Sequence, residues 1–352
     1  MEILLLGGTG AMGEYLSDIL SSRGNKVVVT SRSYRKSKNN VEYINGNAQD
    51  INFLSSLLIK KWDAIIDFMV YSTAQFKERV RLLLNATVHY VFLSSARVYA
   101  NSKDPVIESS PRLLDTSDDE AFLKTDEYSL TKARQENILR DSGMSNWTIL
   151  RPYITFSPKR LQLGIFEKED WLYRALKGRT IVFSDDINSK YTTLTLGLDV
   201  AKGISALIGK EEFFGEAFHI TNNNPIKWSE ILDCYLGILE NHLGYRPKVK
   251  FEDKETYTEG NPSIYQIIYD RFFDRKFDNS KIANIIDASN FTDTKQGLKS
   301  CLEEFLNQPH FKPINWGAEA IKDRKTNEFA SLSEISGAKQ KIKYLIYRFI
   351  SK

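Results

Sequence analysis

The chain has 352 residues, 42% hydrophobic and 26% charged, with 48 Lys and Arg against 45 Asp and Glu for a net charge of +3. That balance excludes an intrinsically disordered chain, a collagen-like repeat and the global basic field that draws proteins to nucleic acid. Cys234 and Cys301 stand far apart and outside any CxxC pairing, which excludes a disulfide scaffold and a cysteine zinc site and points to a reducing compartment, the cytoplasm by default.

The apolar run Ile3–Leu6 follows an acidic residue and breaks at Gly7-Gly8, so it reads as a strand and not as a signal peptide. Met12, Leu16, Ile19 and Leu20 then form one helical stripe, predicting a helix from Met12 to Ser22 with Gly24 as its stop. Further strands are predicted at Lys26–Thr30, Val41–Ile44, Ala64–Phe68 and Tyr90–Leu93. The polar stretch Asn101–Glu127, with Pro105 and Pro111, reads as a surface loop leading into a helix at Tyr128, and Trp147–Leu150 reads as another buried strand. Alternation of this kind predicts an α/β fold, a doubly wound parallel (Rossmann) sheet, with a smaller mixed α/β substrate region toward the C-terminus. The expected division is a dinucleotide-binding domain over 1–155, completed by segments near 188–208 and 216–222, and a substrate-binding region over 156–187 and 223–315. An extension over 316–352 follows, ending in a basic amphipathic helix over 338–351.

Gly7-Gly8-Thr9-Gly10-Ala11-Met12-Gly13 follows a strand and opens a helix, the context of a dinucleotide-binding turn. Gly7 permits the tight turn, Gly10 the approach of the backbone to a pyrophosphate, and Gly13 the packing of helix on strand; Thr9, Ala11 and Met12 complete the cradle. The acid that would accept the adenine ribose hydroxyl at the end of the second strand is missing. Ser31-Arg32 stands there, followed by Arg35, Lys36 and Lys38. A guanidinium pairs with a 2′-phosphate, so NADP(H) is favoured over NAD(H), with Ser31 and Arg32 carrying the expectation and the later cations open to a solvated-loop reading.

Tyr128 and Lys132 are four apart on a predicted helix and project from one face. A phenol acts as a base near neutrality only where a neighbouring cation stabilises its phenolate, the service Lys132 can supply. Ser94-Ser95 ends the apolar strand at Tyr90–Leu93, at the edge where a parallel sheet presents its ligand crevice.

The glycine turn, Ser94-Ser95 followed by Val98-Tyr99, the Tyr128/Lys132 pair and Arg151-Pro152-Tyr153, in that order, resemble the extended short-chain dehydrogenase/reductase family, its NAD-dependent epimerase/dehydratase group. The resemblance spans roughly the first 285 residues. It implies Ser95, Tyr128 and Lys132 as a catalytic triad, with Ser95 also on the substrate oxygen and Lys132 also on the nicotinamide ribose. It further implies Tyr153 and Ile154 near the nicotinamide, a nucleotide-sugar substrate and a homodimer through two helices per subunit. Asn47 stands where the family commonly has an acid beside the adenine, so that contact would pass to an amide oxygen. Ala96-Arg97 replaces the acidic pair of hexose dehydratases, which disfavours dehydration and leaves a ketoreductase or an epimerase. A non-catalytic regulatory or RNA-associated protein on the same fold, or a reductase of a small non-nucleotide carbonyl, is the alternative.

Lys190, Arg271 and Arg275 are the cations predicted for a sugar-nucleotide diphosphate, each also readable as a solvated surface charge. His89 and His219 lie at or in apolar strands and read as structural, and no His/Cys pattern predicts a metal. In the tail, Ile342, Leu345, Ile346, Phe349 and Ile350 form a stripe among Lys339, Lys341, Lys343, Arg348 and Lys352. Such a helix packs on its own body or a partner, the favoured reading, or lies peripherally on an anionic membrane surface.

Overall fold

Unbroken apolar strands such as Val27-Val28-Val29 are stable only where helices cover both faces of the sheet. The computed structural model shows how this chain meets that requirement. It describes residues 1–254 and 263–350; residues 255–262, within the predicted substrate-binding region, and 351–352, at the end of the predicted tail helix, lie outside the described residues. The chain divides into two units, one of residues 1–159, 193–225 and 274–294, the other of 160–192, 226–273 and 295–352.

The first unit runs β1 (Glu2–Leu6), α1 (Gly13–Ser22), β2 (Lys26–Ser31), β3 (Val41–Asn45), α2 (Ile51–Leu57), β4 (Trp62–Asp67), α3 (Thr73–Asn85) and β5 (Thr87–Leu93). Two short helices follow, α4 (Leu113–Thr116) and α5 (Glu120–Leu123), then α6 (Tyr128–Arg140), β6 (Trp147–Pro152) and β7 (Ile154–Phe156). The main sheet has seven parallel strands in the order Ala217–Ile220, β6, β5, β4, β1, β2, β3. This is a doubly wound Rossmann sheet whose strand order reverses beside β1, the switch point at which such sheets bind ligands.

Alternation along each strand splits the core in two. Ile3, Leu5, Val27 and Val29 face α1 and the helix Gly197–Leu207, with Leu16, Leu20, Ile204 and Leu207. Leu4, Leu6, Val28 and Ile65 face the other side, where Phe76 and Leu83 of α3 and Leu139 of α6 cover them. β5 begins at Thr87, earlier than the predicted Tyr90, because the polar residues that mask its start are satisfied internally. His89 Nε2 lies 2.9 Å from Thr148 Oγ1, and its Nδ1 accepts from the Gly209 N–H at 3.0 Å.

In the second unit, Ile181–Ser184 pairs in parallel with Val249–Glu252, and Tyr191–Thr192 pairs antiparallel with Ile226–Lys227. The segment predicted as an extension is fastened into this unit. Arg174, on the helix Lys168–Leu176, donates to Glu319 at 3.0 Å and Asp323 at 2.7 Å on the helix Trp316–Thr326, and to Glu328 at 3.1 Å.

Ile65 is fully buried in the centre of the main sheet. Ile65→Ala is expected to lower the unfolding free energy by about 2–5 kcal/mol, measured by urea denaturation, with an unchanged far-ultraviolet spectrum for the folded protein.

Candidate active site

The turn after β1 fits a dinucleotide. Gly7 has φ +71°, and a Cβ there would meet Met69 Sδ at 2.6 Å; a Cβ on Gly13 would meet the Gly8 carbonyl oxygen at 2.5 Å. The turn is therefore closed to side chains where strand, turn and helix touch. A Cβ on Gly10, by contrast, meets no protein atom within 4 Å. Helix α1 begins at Gly13 behind Met12 with no side-chain cap, which leaves its N-terminal N–H groups and dipole for an anion. Thr9 and Ala11 lie half-buried in the same turn, and Ala11 abuts the start of Gly197–Leu207, where a Cβ on Gly197 would meet its carbonyl oxygen.

Gly7, Thr9, Ser31, Arg32 and Asn47 line one cavity of about 250 Å³ beside β1 and β2. Thr30 Oγ1 accepts from the Gly7 N–H at 2.9 Å, tying the glycine turn to β2. The Ser31 hydroxyl donates to the Ser33 carbonyl at 2.7 Å, and Asn47 Oδ1 accepts from the Gln49 N–H at 3.1 Å, so both side chains also shape their own loops. Arg32 is exposed at the cavity. Two of the following cations have other duties, since Arg35 pairs with Glu14 at 2.9 Å and Lys38 with Asp18 at 2.9 Å.

At the carboxyl end of β5, Ser94 and Ser95 are buried. The Ser94 hydroxyl donates to Glu136 at 2.6 Å, and Ser95 Oγ accepts from the Arg97 N–H at 3.2 Å. The Lys132 ammonium donates to the Leu93 carbonyl at 2.7 Å and lies 5.9 Å from the centre of the Tyr128 ring. Tyr128 and Lys132 line one cavity of about 260 Å³ with Tyr71, Ser72 and Asp126. The fold thus brings Tyr128 and Lys132 together on α6, with Ser94-Ser95 at the end of the strand that Lys132 grips.

Sequence reasoning missed three neighbours. Arg97 lies over the Tyr128 ring, 5.2 Å from its centre, and pairs with Glu127 at 2.6 Å, while Glu127 caps α6 by accepting from the Ser129 N–H. Asp67, wholly buried, accepts from Tyr90 at 2.8 Å and from the Met69 N–H at 2.9 Å; burial pushes its carboxyl up to about 6 against the pull of those bonds and of Lys132. Glu136 accepts from both ends of the Arg151 fork, at 2.8 and 2.6 Å, and from Arg112 at 3.1 Å. Burial drives that carboxyl upward, but Arg151 and Ser94 outweigh it and hold it below the usual range. Two signals were available: Glu136 repeats the Tyr128/Lys132 spacing one turn on, and Asp67 is an acid closing an apolar strand at the crevice edge.

The remaining expected residues fall in both units. Tyr153, its ring tilted against Phe277 at 5.3 Å between centres, and Ile154 are buried where β6 passes into β7. Arg275, in the same unit, is buried and donates to the carbonyls of Ala100 at 3.1 Å and Tyr99 at 3.0 Å, which makes its guanidinium a brace for the loop after β5. In the second unit Arg271 is buried, pairs with Asp270 and donates to the Gly164 carbonyl at 2.9 Å, while Lys190 is half-exposed. His219 Nε2 lies 2.6 Å from the Asp278 carbonyl. Among the described residues no group of His, Cys, Asp and Glu could hold a metal, and no helix is long and apolar enough to cross a membrane.

A doubly wound sheet with a glycine turn at its switch point and a Tyr/Lys pair at the end of β5 is the architecture of the extended short-chain dehydrogenase/reductases. The sequence profile of the NAD dependent epimerase/dehydratase family matches residues 3–220, and the chain belongs to that family. It is 26% identical over 247 residues, 64% of this chain and 60% of the relative, to the chloroplast stem-loop binding protein of 41 kDa b from Arabidopsis thaliana. The match thus spans less than two thirds of that relative's length. Among solved structures, the epimerase Mth375 of Methanothermobacter thermautotrophicus aligns with a TM-score of 0.67 at 17% identity, over 87% of this chain and 92% of that one. UDP-glucuronic acid 4-epimerase from Bacillus cereus, in complex with UDP-glucuronic acid and NAD, aligns with a TM-score of 0.64 at 17% identity, over 88% of this chain and 100% of that one.

Burial pushes the Lys132 ammonium down to about 8, against the opposing charges of Asp67 and Glu136. Because the folded chain holds this proton less tightly than the unfolded one, the cost of burying the charge is full below about pH 8 and is relieved as pH rises toward the ordinary lysine value. Urea denaturation between pH 7 and pH 10.5 is therefore expected to show the wild type gaining stability relative to Lys132→Met as pH rises through about 8, with a flat difference contradicting this assignment.

Proposed function

We propose that the protein is an NAD(P)-dependent oxidoreductase or epimerase that transfers hydride at a carbinol or ketone of a nucleotide-activated sugar. The observation that carries this reading is the Tyr128/Lys132 pair, held at the carboxyl end of β5 by the Leu93 carbonyl. Tyr128 takes the proton from the carbinol oxygen in oxidation and returns it in reduction. Lys132, with Arg97 over the same ring, supplies the positive field that stabilises the phenolate, and Lys132 also binds the nicotinamide ribose. Ser95 holds the reacting oxygen. The nicotinamide, when bound, accepts or donates the hydride.

Gly7, Thr9, Gly10, Ala11, Met12 and Gly13 cradle the pyrophosphate, Asn47 meets the adenine, and Tyr153 and Ile154 border the nicotinamide. Arg32, exposed at the adenosine cavity, favours NADP(H), with Ser31 beside it. For the substrate diphosphate the half-exposed Lys190 is the favoured cation, because Arg271 and Arg275 are committed to main-chain carbonyls. The nucleotide-sugar class is supported by family membership and by the UDP-glucuronic acid bound in the Bacillus cereus epimerase. Ala96-Arg97 in place of an acidic pair continues to disfavour dehydration.

The name of the Arabidopsis relative, a stem-loop binding protein, supports a second reading, an RNA-associated protein on the same fold. Turnover separates the two. Tyr128→Phe is expected to lower turnover of nucleotide sugars by about 10²–10⁴ with cofactor affinity retained. Near-normal turnover would remove Tyr128 from proton transfer, and stem-loop binding by a wild type with no turnover would favour the RNA reading. In parallel, tryptophan-sensitised titration is expected to show tighter NADPH than NADH binding, with Arg32→Ala weakening NADPH by roughly tenfold or more and leaving NADH little changed. Equal affinities in the wild type would discard the NADP preference.

A further inference from the structure

The helix Ala338–Leu345 continues through wider turns over Ile346–Ile350. It is fixed to its own unit by one side. Tyr344, wholly buried, donates to Asp323 at 2.6 Å and accepts from the Ala330 N–H at 2.7 Å, and it meets the ring of Trp316 edge-on. Arg348 adds a bond from Nε to the Glu328 carbonyl at 2.9 Å. Asp323 is in turn held by Arg174 at 2.7 Å and Arg179 at 3.4 Å, so the anchor ends in a buried ion cluster.

Ile342 and Ile346, two residues to either side of Tyr344, project opposite to it, and Phe349 follows on the wider turns. They are 57%, 41% and 64% exposed, and Ile350 is 75% exposed. Phe329, 48% exposed, lies with its ring tilted 6.1 Å from that of Phe349 and extends the apolar surface beyond the helix. The expected packing of the tail on its own body is thus made by Tyr344 and the half-buried Leu345, while most of the predicted apolar stripe faces away.

Charge decides what suits that face. No Asp or Glu follows Glu334, whereas Lys339, Lys341, Lys343, Arg348 and Lys352 do. These residues give the last 18 positions a charge of +5, so the rest of a chain of net charge +3 sums to −2. A second copy docked face to face would set these cations against their own kind. A nucleic acid would leave the isoleucines and phenylalanines against phosphate. Apolar residues that can enter a hydrocarbon boundary, flanked by cations, match a lipid surface of negative charge.

We infer that the C-terminal helix is a peripheral docking surface for anionic phospholipid bilayers, held in a fixed pose by Tyr344 and inserting Ile342, Ile346, Phe349 and Ile350. The inference is independent of the catalytic reading. It is tested by flotation of the full chain with vesicles of phosphatidylcholine alone and of phosphatidylcholine mixed with phosphatidylglycerol, at low and high salt. Binding to the mixed vesicles is expected, weakened by salt. The double variant Phe349→Glu/Ile350→Glu is expected to lose binding by at least about tenfold, and Lys339→Gln/Lys343→Gln to lose the preference for anionic lipid. All four side chains are exposed, with Lys343 keeping one bond to Asn315 at 3.4 Å, so an unchanged melting temperature serves as the control for folding. Absence of wild-type flotation, or equal flotation of the wild type and the glutamate variant, would overturn the inference. Dimerisation abolished by the glutamate variant, without vesicle binding, would assign the face to a second copy instead.

Discussion

Helix α6 is fastened to the carboxyl end of the main sheet at two successive turns, and the placement of Tyr128 depends on that attachment. Lys132 reaches the Leu93 carbonyl, and one turn later Glu136 takes Ser94 and the Arg151 fork. Both charges are buried, so each must be matched where it lies; removing one partner of the Glu136–Arg151 pair costs about 3–5 kcal/mol because the other charge stays buried. The same bonds fix the direction in which Tyr128 leaves the helix. A phenol placed by a helix gripped at two points needs little reorganisation to meet a reacting oxygen, which is where positioned acid–base groups gain their advantage.

Around this attachment, polar groups that would destabilise a core become its fasteners. Arg151 links Glu136 to the Tyr99 hydroxyl and the Glu108 carbonyl, and Arg275 holds the carbonyls of Tyr99 and Ala100. The segment after β5 forms isolated bridges and no strand, so several of its carbonyls are met by side-chain donors. In the second unit Arg174 and Arg179 play the same part toward Glu319, Asp323 and Glu334. There the cluster also anchors Tyr344, which is why the tail helix can present apolar residues outward without detaching.

The sheet was legible because its signal is local. Alternating strands and helices, unbroken Val and Ile runs and a glycine turn in the right place lead directly to a doubly wound fold, and the predicted strands differ from those observed mainly at their ends. Those differences arise where a polar residue is satisfied from far along the chain, as His89 is by Thr148 and Gly209. The Tyr128/Lys132 pair was legible for the same reason, since two residues one helical turn apart must share a face. Arg97, Asp67 and Glu136 were not placed, because their partners come from other elements. The three cations expected on the substrate show the limit most clearly: sequence distinguishes neither a guanidinium that meets a diphosphate from one that meets a carbonyl, nor a half-exposed lysine from either.

By itself the sequence determined the parallel α/β class, the glycine cradle, the phenol and ammonium one turn apart and the basic, amphipathic character of the tail. Each is written in spacing along one segment, where backbone geometry alone converts sequence into placement. Only the tertiary structure decided that Lys132 is buried against Leu93, that Arg97 covers Tyr128, that Arg275 braces a loop and that Tyr344 turns the tail's apolar stripe outward. These outcomes depend on which distant groups satisfy a buried charge or hydroxyl, and that pairing is set by the packing of whole elements and not by any local pattern.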